Sequence, residues 1–90
     1  YVDQYQNSAN LEEASWVTLS PDGNNVYATA KDSNSVVWFA RDPDTGTLTY
    51  EGEIIDSYLQ GVNCAAVSPD GDHVYVVAPD AGSILWFTRN

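Results

Sequence analysis

The 90-residue sequence has no methionine, one cysteine, one histidine and three basic residues, and each shortage removes a class of explanation. With Cys64 alone, no intrachain disulfide forms. A chain this short buries a modest share of its surface, so its stability must come from a core or from a partner. Cys64 lies in the apolar stretch 62–67 with no basic neighbour to activate its thiol, and it reads as a small buried hydrophobe. Lys31, Arg41 and Arg89 face thirteen acidic residues, a formal charge of −10. Such a surface repels phosphate backbones and anionic membranes, which excludes nucleic acid as a partner and points to a highly soluble, extracytoplasmic or cation-binding protein. No apolar run reaches membrane-spanning length, no segment has the pattern of a signal peptide, and no stretch sustains a helical period. A P-loop, an HExxH helix, a CxxC pair and a nucleophile elbow are all missing. His73 stands in a hairpin turn with no Ser, Cys or His in register, so it reads as a turn residue rather than a catalytic base.

What the sequence does contain is a repeat. Ser20-Pro21-Asp22-Gly23 returns as Ser68-Pro69-Asp70-Gly71, an offset of 48 residues. At that offset, 12 of the 22 positions from Ser20 to Arg41 are identical in Ser68 to Arg89, among them Val26/Val74, Tyr27/Tyr75, Trp38/Trp86, Phe39/Phe87 and Arg41/Arg89. Tyr1–Ser8 matches Tyr50–Ser57 at an offset of 49, and Leu11 matches Leu59. Each unit divides into four short runs rich in Val, Ile, Tyr, Trp and Thr, separated by Pro-Asp-Gly, Asp-Ser-Asn-Ser, Asp-Pro-Asp-Thr-Gly and Asp-Ala-Gly. These are strands and turns. The predicted strands are a at 15–19 and 63–67, b at 25–30 and 73–78, c at 35–40 and 83–88, and d at 48–55, matched by 1–6.

Runs such as Val26-Tyr27-Ala28 and Val36-Val37-Trp38-Phe39 are apolar on both faces, so the sheet they form must be covered on both faces. Four-stranded blades stacked around an axis meet that demand, and a period of 40–50 residues is their signature. The expected fold is all-β: two antiparallel β-propeller blades in the order d-a-b-c-d-a-b-c. Strand d of one blade is expected at 1–7, a blade at 14–56, and strands a to c of a second blade at 61–90. Residues 43–49 have no counterpart after Asn90, so strand d at the start and strand c at the end each lack a partner within the chain. Head-to-tail pairing with another copy would supply both, closing a trimer of six blades or a tetramer of eight, or running on as an open filament. Tyr1, Val2, Tyr5, Ile84, Trp86 and Phe87 are the expected interface residues.

The run Ser-Pro-Asp-Gly-x-x-Val-Tyr, the Asp-x-x-Ser turn and Phe39-Ala40-Arg41-Asp42-Pro43-Asp44-Thr45-Gly46-Thr47-Leu48-Thr49-Tyr50 together resemble the lactonase-like propeller repeats. That group includes 6-phosphogluconolactonase-type enzymes and YVTN-type surface repeats. The resemblance spans the chain and implies a seven-bladed, single-chain ring in complete members. It carries no catalytic residue onto a position of this sequence.

Candidate ligand residues follow from the propeller reading. The b–c and d–a connections share one face and gather Glu12, Glu13, Lys31, Asp32, Asp56 and Asp80 into an acidic rim. On this face Lys31, Asp32, Asn34 and Asp80 are the expected ligand contacts. Trp16 joins them, a tryptophan whose repeat position holds Cys64, as a stacking surface for a glycan or small molecule. Asp42 and Asp44 alternate like calcium ligands, which makes calcium the one cofactor suggested, although the third acid and the distal Glu of such loops are missing. Asp22 and Asp70 read as turn residues. The favoured function is a non-enzymatic binding or structural module that assembles into a ring outside the cytoplasm. The alternative is part of a lactonase-type hydrolase.

Overall fold

The computed structural model describes residues 11–89, so the strand expected at 1–7, with Tyr1, Val2 and Tyr5, lies outside the described residues. Seven strands form two antiparallel meanders. The first sheet joins β1 (Ala14–Leu19), β2 (Asn25–Ala30), β3 (Ser35–Arg41) and β4 (Leu48–Ile55) in sequence order. The second joins β5 (Cys64–Val67), β6 (His73–Ala78) and β7 (Ser83–Thr88). These bounds match the expected strands to within a residue. The Ser-Pro-Asp-Gly turns close the β1–β2 and β5–β6 hairpins alike. Gly23 and Gly71 take the left-handed conformation (φ 77° and 80°), and Ser20 and Ser68 donate through Oγ to Oδ1 of Asp22 (2.6 Å) and Asp70 (2.5 Å).

The two sheets stack with β1 beside β5. Strand alternation assigns Tyr27, Thr29, Val36, Trp38 and Ile54 to the face of the first sheet that meets the second. The second sheet answers with Ala65, Val74, Val76, Leu85 and Phe87. Val36, Leu59, Val62, Ala65, Val76 and Ala78 are buried together at this junction, with Ile54, Leu85 and Phe87 packed against them. The main core thus lies between blades rather than within one, as stacked blades require. A second cluster, Val26, Val37 and Phe39 with Leu11 and Ala28, occupies the opposite face of the first sheet.

One expected interface residue is misplaced by this register. Phe87 packs into the junction, while its neighbours Trp86 and Ile84 point to the other face and stay exposed. Period-two alternation separates them, because consecutive strand residues cannot share a face.

Candidate functional site

Both ends of the stacked sheets carry polar loops, and the antiparallel register decides which loops share an end. Ala14 pairs with Ala30, Ala30 with Ser35, and Ser35 with Ile55, so the chain before β1, the β2–β3 turn and the exit of β4 meet at one rim. Cys64 opposite Val77 and Ala78 opposite Ser83 bring the start of β5 and the β6–β7 turn to the same rim. Lys31, Asp32, Asn34 and Asp80 are therefore at one end, with Glu12, Glu13 and Asp56. Asp42 and Asp44 belong to the β3–β4 connection at the opposite end.

The rim is ordered by backbone bonds. Lys31 N–H donates to the Glu13 carbonyl (3.1 Å) and Asp32 N–H to that of Glu12 (3.2 Å), continuing the β1–β2 ladder into the loop. Glu12 N–H donates to Ser33 Oγ (3.0 Å), and Asp56 N–H to the Asn34 carbonyl (3.1 Å). Among the described residues, the side chains of Glu12, Glu13, Lys31 and Asp32 make no such bond themselves. Asp56 is committed locally, since its Oδ1 accepts from Tyr58 N–H (2.9 Å) and caps the short 3-10 turn Ser57–Leu59. Asp80 lies over Gly61, where an added Cβ would stand 2.5 Å from its carboxylate. Lys31 is the rim's single cation, because Arg41 and Arg89 sit at the far end.

Two rim residues hold a conformation that their repeat partners achieve with glycine. Glu13 (φ 56°) stands where the second unit has Gly61 (φ 74°), and Asn34 (φ 51°) where it has Gly82 (φ 65°). Asparagine tolerates the left-handed region, whereas a glutamate there costs about 1–2 kcal/mol. Replacing Glu13 with glycine is expected to raise stability by about 1 kcal/mol, read as a higher urea midpoint at unchanged slope. A loss of stability would show that the Glu13 side chain makes a contact worth more than its strain.

Trp16 lies on β1, the edge strand that runs beside β5. Its Nε1–H donates to the Ala65 carbonyl (3.0 Å), stapling β1 to β5, so the indole nitrogen is occupied while half the ring surface stays open. Beside it, Ser15 Oγ lies 3.1 Å from Thr29 Oγ1 and 3.4 Å from the Val62 carbonyl. Asp42 and Asp44 form a turn: Asp44 N–H donates to Asp42 Oδ1 (2.9 Å) and Gly46 N–H to the Asp42 carbonyl (2.7 Å). Among the described residues no group of three or more His, Cys, Asp or Glu side chains is gathered to hold a metal.

The far end contains a constellation that reading the sequence missed. Arg89, just past β7, reaches across the junction to the first hairpin. Its Nη2 donates to Asp22 Oδ2 (2.9 Å), Asp22 Oδ1 (3.0 Å) and Asn25 Oδ1 (2.8 Å), its Nε to Tyr27 Oη (3.0 Å), and its Nη1 to the Gly71 carbonyl (2.8 Å). Bonds from the Ser20 hydroxyl, from Asn24 N–H and from Arg89 hold the Asp22 carboxyl far below the usual carboxylate range. Asp22 and Asp70 are thus turn residues, as expected, but Asp22 is also the anchor of an interblade latch. The identity of Arg41 with Arg89 was the available signal.

A four-stranded and a three-stranded antiparallel meander, stacked with their first strands side by side, are the architecture of β-propeller blades. The chain belongs to the lactonase, 7-bladed β-propeller, family, whose profile matches residues 1–90. No curated protein matches it. Among solved structures it is similar to the periplasmic gluconolactonase of Pseudomonas aeruginosa (28% identity, TM-score 0.79), covering 86% of this chain and 21% of that one. A candidate 6-phosphogluconolactonase of Bacteroides fragilis matches at 28% identity and TM-score 0.78 over the same shares. Hydrazine synthase of Kuenenia stuttgartiensis matches at 25% identity and TM-score 0.69, over 98% of this chain and 23% of that one. The chain spans about a fifth of the length of these structures. The family match favours the alternative reading, a fragment of a lactonase-type propeller, over the self-assembling module.

Proposed function

We propose that these two blades belong to a lactonase-type propeller that opens a sugar lactone at the Glu13–Lys31 rim. Membership of the lactonase family, with gluconolactonases among the similar structures, carries this reading. The geometry adds a chemical rationale. Ester hydrolysis needs a base for water and a positive group for the oxyanion that develops on the carbonyl. The Lys31–Glu13 backbone bond sets side by side, in the loops that flank β1 and β2, two residues that carry a carboxylate and an ammonium. In this scheme Glu13 takes a proton from water as its oxygen bonds to the lactone carbon. Lys31 steadies the oxyanion, and collapse breaks the ring C–O bond with the proton passing to the departing alkoxide. The left-handed strain at Glu13 is of the kind stored at working sites. Asp32, Asn34 and the open face of Trp16 would border the sugar.

The hydrazine synthase match is a reminder that the fold alone does not set activity, so the rim residues must be tested directly. In a ring containing these blades, Lys31→Ala is expected to lower kcat on glucono-δ-lactone by about 10²-fold or more. Glu13→Gly is expected to do the same while stabilising the fold, a split that general damage would not produce. Unchanged turnover in both variants would overturn the assignment. No helix among the described residues is long and apolar enough to cross a membrane. The periplasmic relative and the charge of −10 support a location outside the cytoplasm.

A further inference from the structure

Gly52 is the one glycine whose backbone does not call for a glycine. Gly23, Gly46, Gly61, Gly71 and Gly82 all take positive φ, whereas Gly52 lies inside β4 without it. The repeat carries Asp3 at the matching position, so the pattern does not require a glycine there either. What requires it is Trp38. The two are cross-strand partners, and a Cβ added at Gly52 would stand 2.7 Å from Cζ2 and 2.9 Å from Cε2 of the indole. A side chain there would collide with the ring, and glycine is the residue that lets another group approach a strand so closely. The indole therefore lies back over β4 instead of crossing the junction. Beside it a cleft of about 280 Å³ stays open, lined by Tyr27, Val36, Trp38 and Ile54 of the first sheet and by Val74 and Phe87 of the second.

The lining sets the chemistry of an occupant. Each of these side chains is aliphatic or aromatic and none carries a charge, so an ionic ligand would lose its water and gain no counter-charge. Two hydrogen-bond donors stand in this wall. The Tyr27 hydroxyl oxygen accepts from Arg89 Nε (3.0 Å), but among the described residues neither its own proton nor Trp38 Nε1–H has an acceptor. Tyr27 is only 7% exposed, so solvent satisfies that proton poorly. We propose that the cleft is a binding site for a small, flat, uncharged aromatic molecule that carries an acceptor oxygen, such as an aryl ketone. Tyr27 donates to the oxygen, and Trp38 and Phe87 pack against the rings. The volume is just under the range of roughly 300–1,000 Å³ usual for ligand pockets, which limits the occupant to one or two fused rings. None of Glu13, Lys31 and Asp32 lines the cleft, so binding there stands apart from lactone hydrolysis.

The probe is 2-acetylnaphthalene, titrated into the 90-residue chain while the indole and methyl resonances are followed by NMR. Saturable shifts are expected at the Trp38 indole N–H and at the methyls of Val36, Ile54 and Val74, with a Kd on the order of 0.1 mM for a ligand of this size. Gly52→Ala should abolish them, because its Cβ drives the indole into the cleft. If that variant does not fold, Ile54→Phe fills the same space from the same strand and should have the same effect. Tyr27→Phe should weaken binding about tenfold by removing the donor. Asp22→Asn, which loosens the Arg89 latch without touching the cleft, should leave the affinity unchanged. An absence of saturable shifts would overturn the proposal, as would shifts centred on Tyr75, Ile84 and Trp86 of the exposed face. Undiminished binding by folded Gly52→Ala or Ile54→Phe would also overturn it. So would equal losses from Asp22→Asn and Tyr27→Phe, because the latch and not the hydroxyl would then account for the effect.

Discussion

Truncating Leu59 to alanine is expected to destabilise the chain by about 3 kcal/mol, the middle of the range for a buried leucine that leaves an unfilled cavity. The side chain is completely buried, and it touches the junction from both sides, with Val36 of β3 and with Val62, Ala65, Val76 and Ala78 of the second blade. It cannot relax easily, because its backbone is held at both ends: Leu59 N–H donates to the Asp56 carbonyl and Val62 N–H to that of Leu59, each at 2.9 Å. For a domain of this size the loss corresponds to a fall in Tm of roughly 10–20 °C. Urea denaturation would measure it directly. Leu11, the repeat equivalent, is only half buried and should cost less when truncated. Equal costs at the two positions would mean that the main core is not at the junction.

Removing the Arg89 side chain is expected to cost about 2 kcal/mol, from hydrogen bonds lost to Tyr27, Asn25 and the Gly71 carbonyl. The ion pair itself adds little, because Asp22 stays half exposed. The same latch sets an acid limb. A carboxyl whose folded value is depressed contributes stability that is fully present above the ordinary carboxylate range, near pH 4, and is lost as pH falls toward the folded value. The wild-type chain should therefore gain steepness in its acid unfolding below about pH 4 that Asp22→Asn lacks. Arg89→Ala should reduce that difference without erasing it, since Ser20 and Asn24 continue to bond the carboxylate. An acid limb identical in all three would exclude the latch.

The strands were legible because each is a short β-branched and aromatic run bounded by turn chemistry, and because every signal occurs twice. Which face of a strand meets its neighbour was not legible. In Ser83–Thr88 both Trp86 and Phe87 are large and apolar, and a sheet covered on both faces offers no polar side to break the tie. The rim was legible as a collection, since the order of strands alone brings Lys31, Asp32, Asn34 and Asp80 to one end. Its detail was hidden: Glu13 reads as an ordinary loop acid until its backbone is seen in the conformation that Gly61 adopts. The latch was hidden by distance, because Arg89 and Asp22 are far apart along the chain and no local spacing joins them.

The central claim is that the two repeats are consecutive blades stacked through one defined pair of faces. Nuclear Overhauser contacts between the rings of Tyr27 and Trp38 and the side chains of Val74 and Phe87 test it most directly, since these residues line a single cleft between the sheets. The account predicts those contacts, with Trp86 and Ile84 showing none to the first sheet. Contacts from Trp86 or Tyr75 to Val36 and Ile54, with none from Val74 or Phe87, would contradict it.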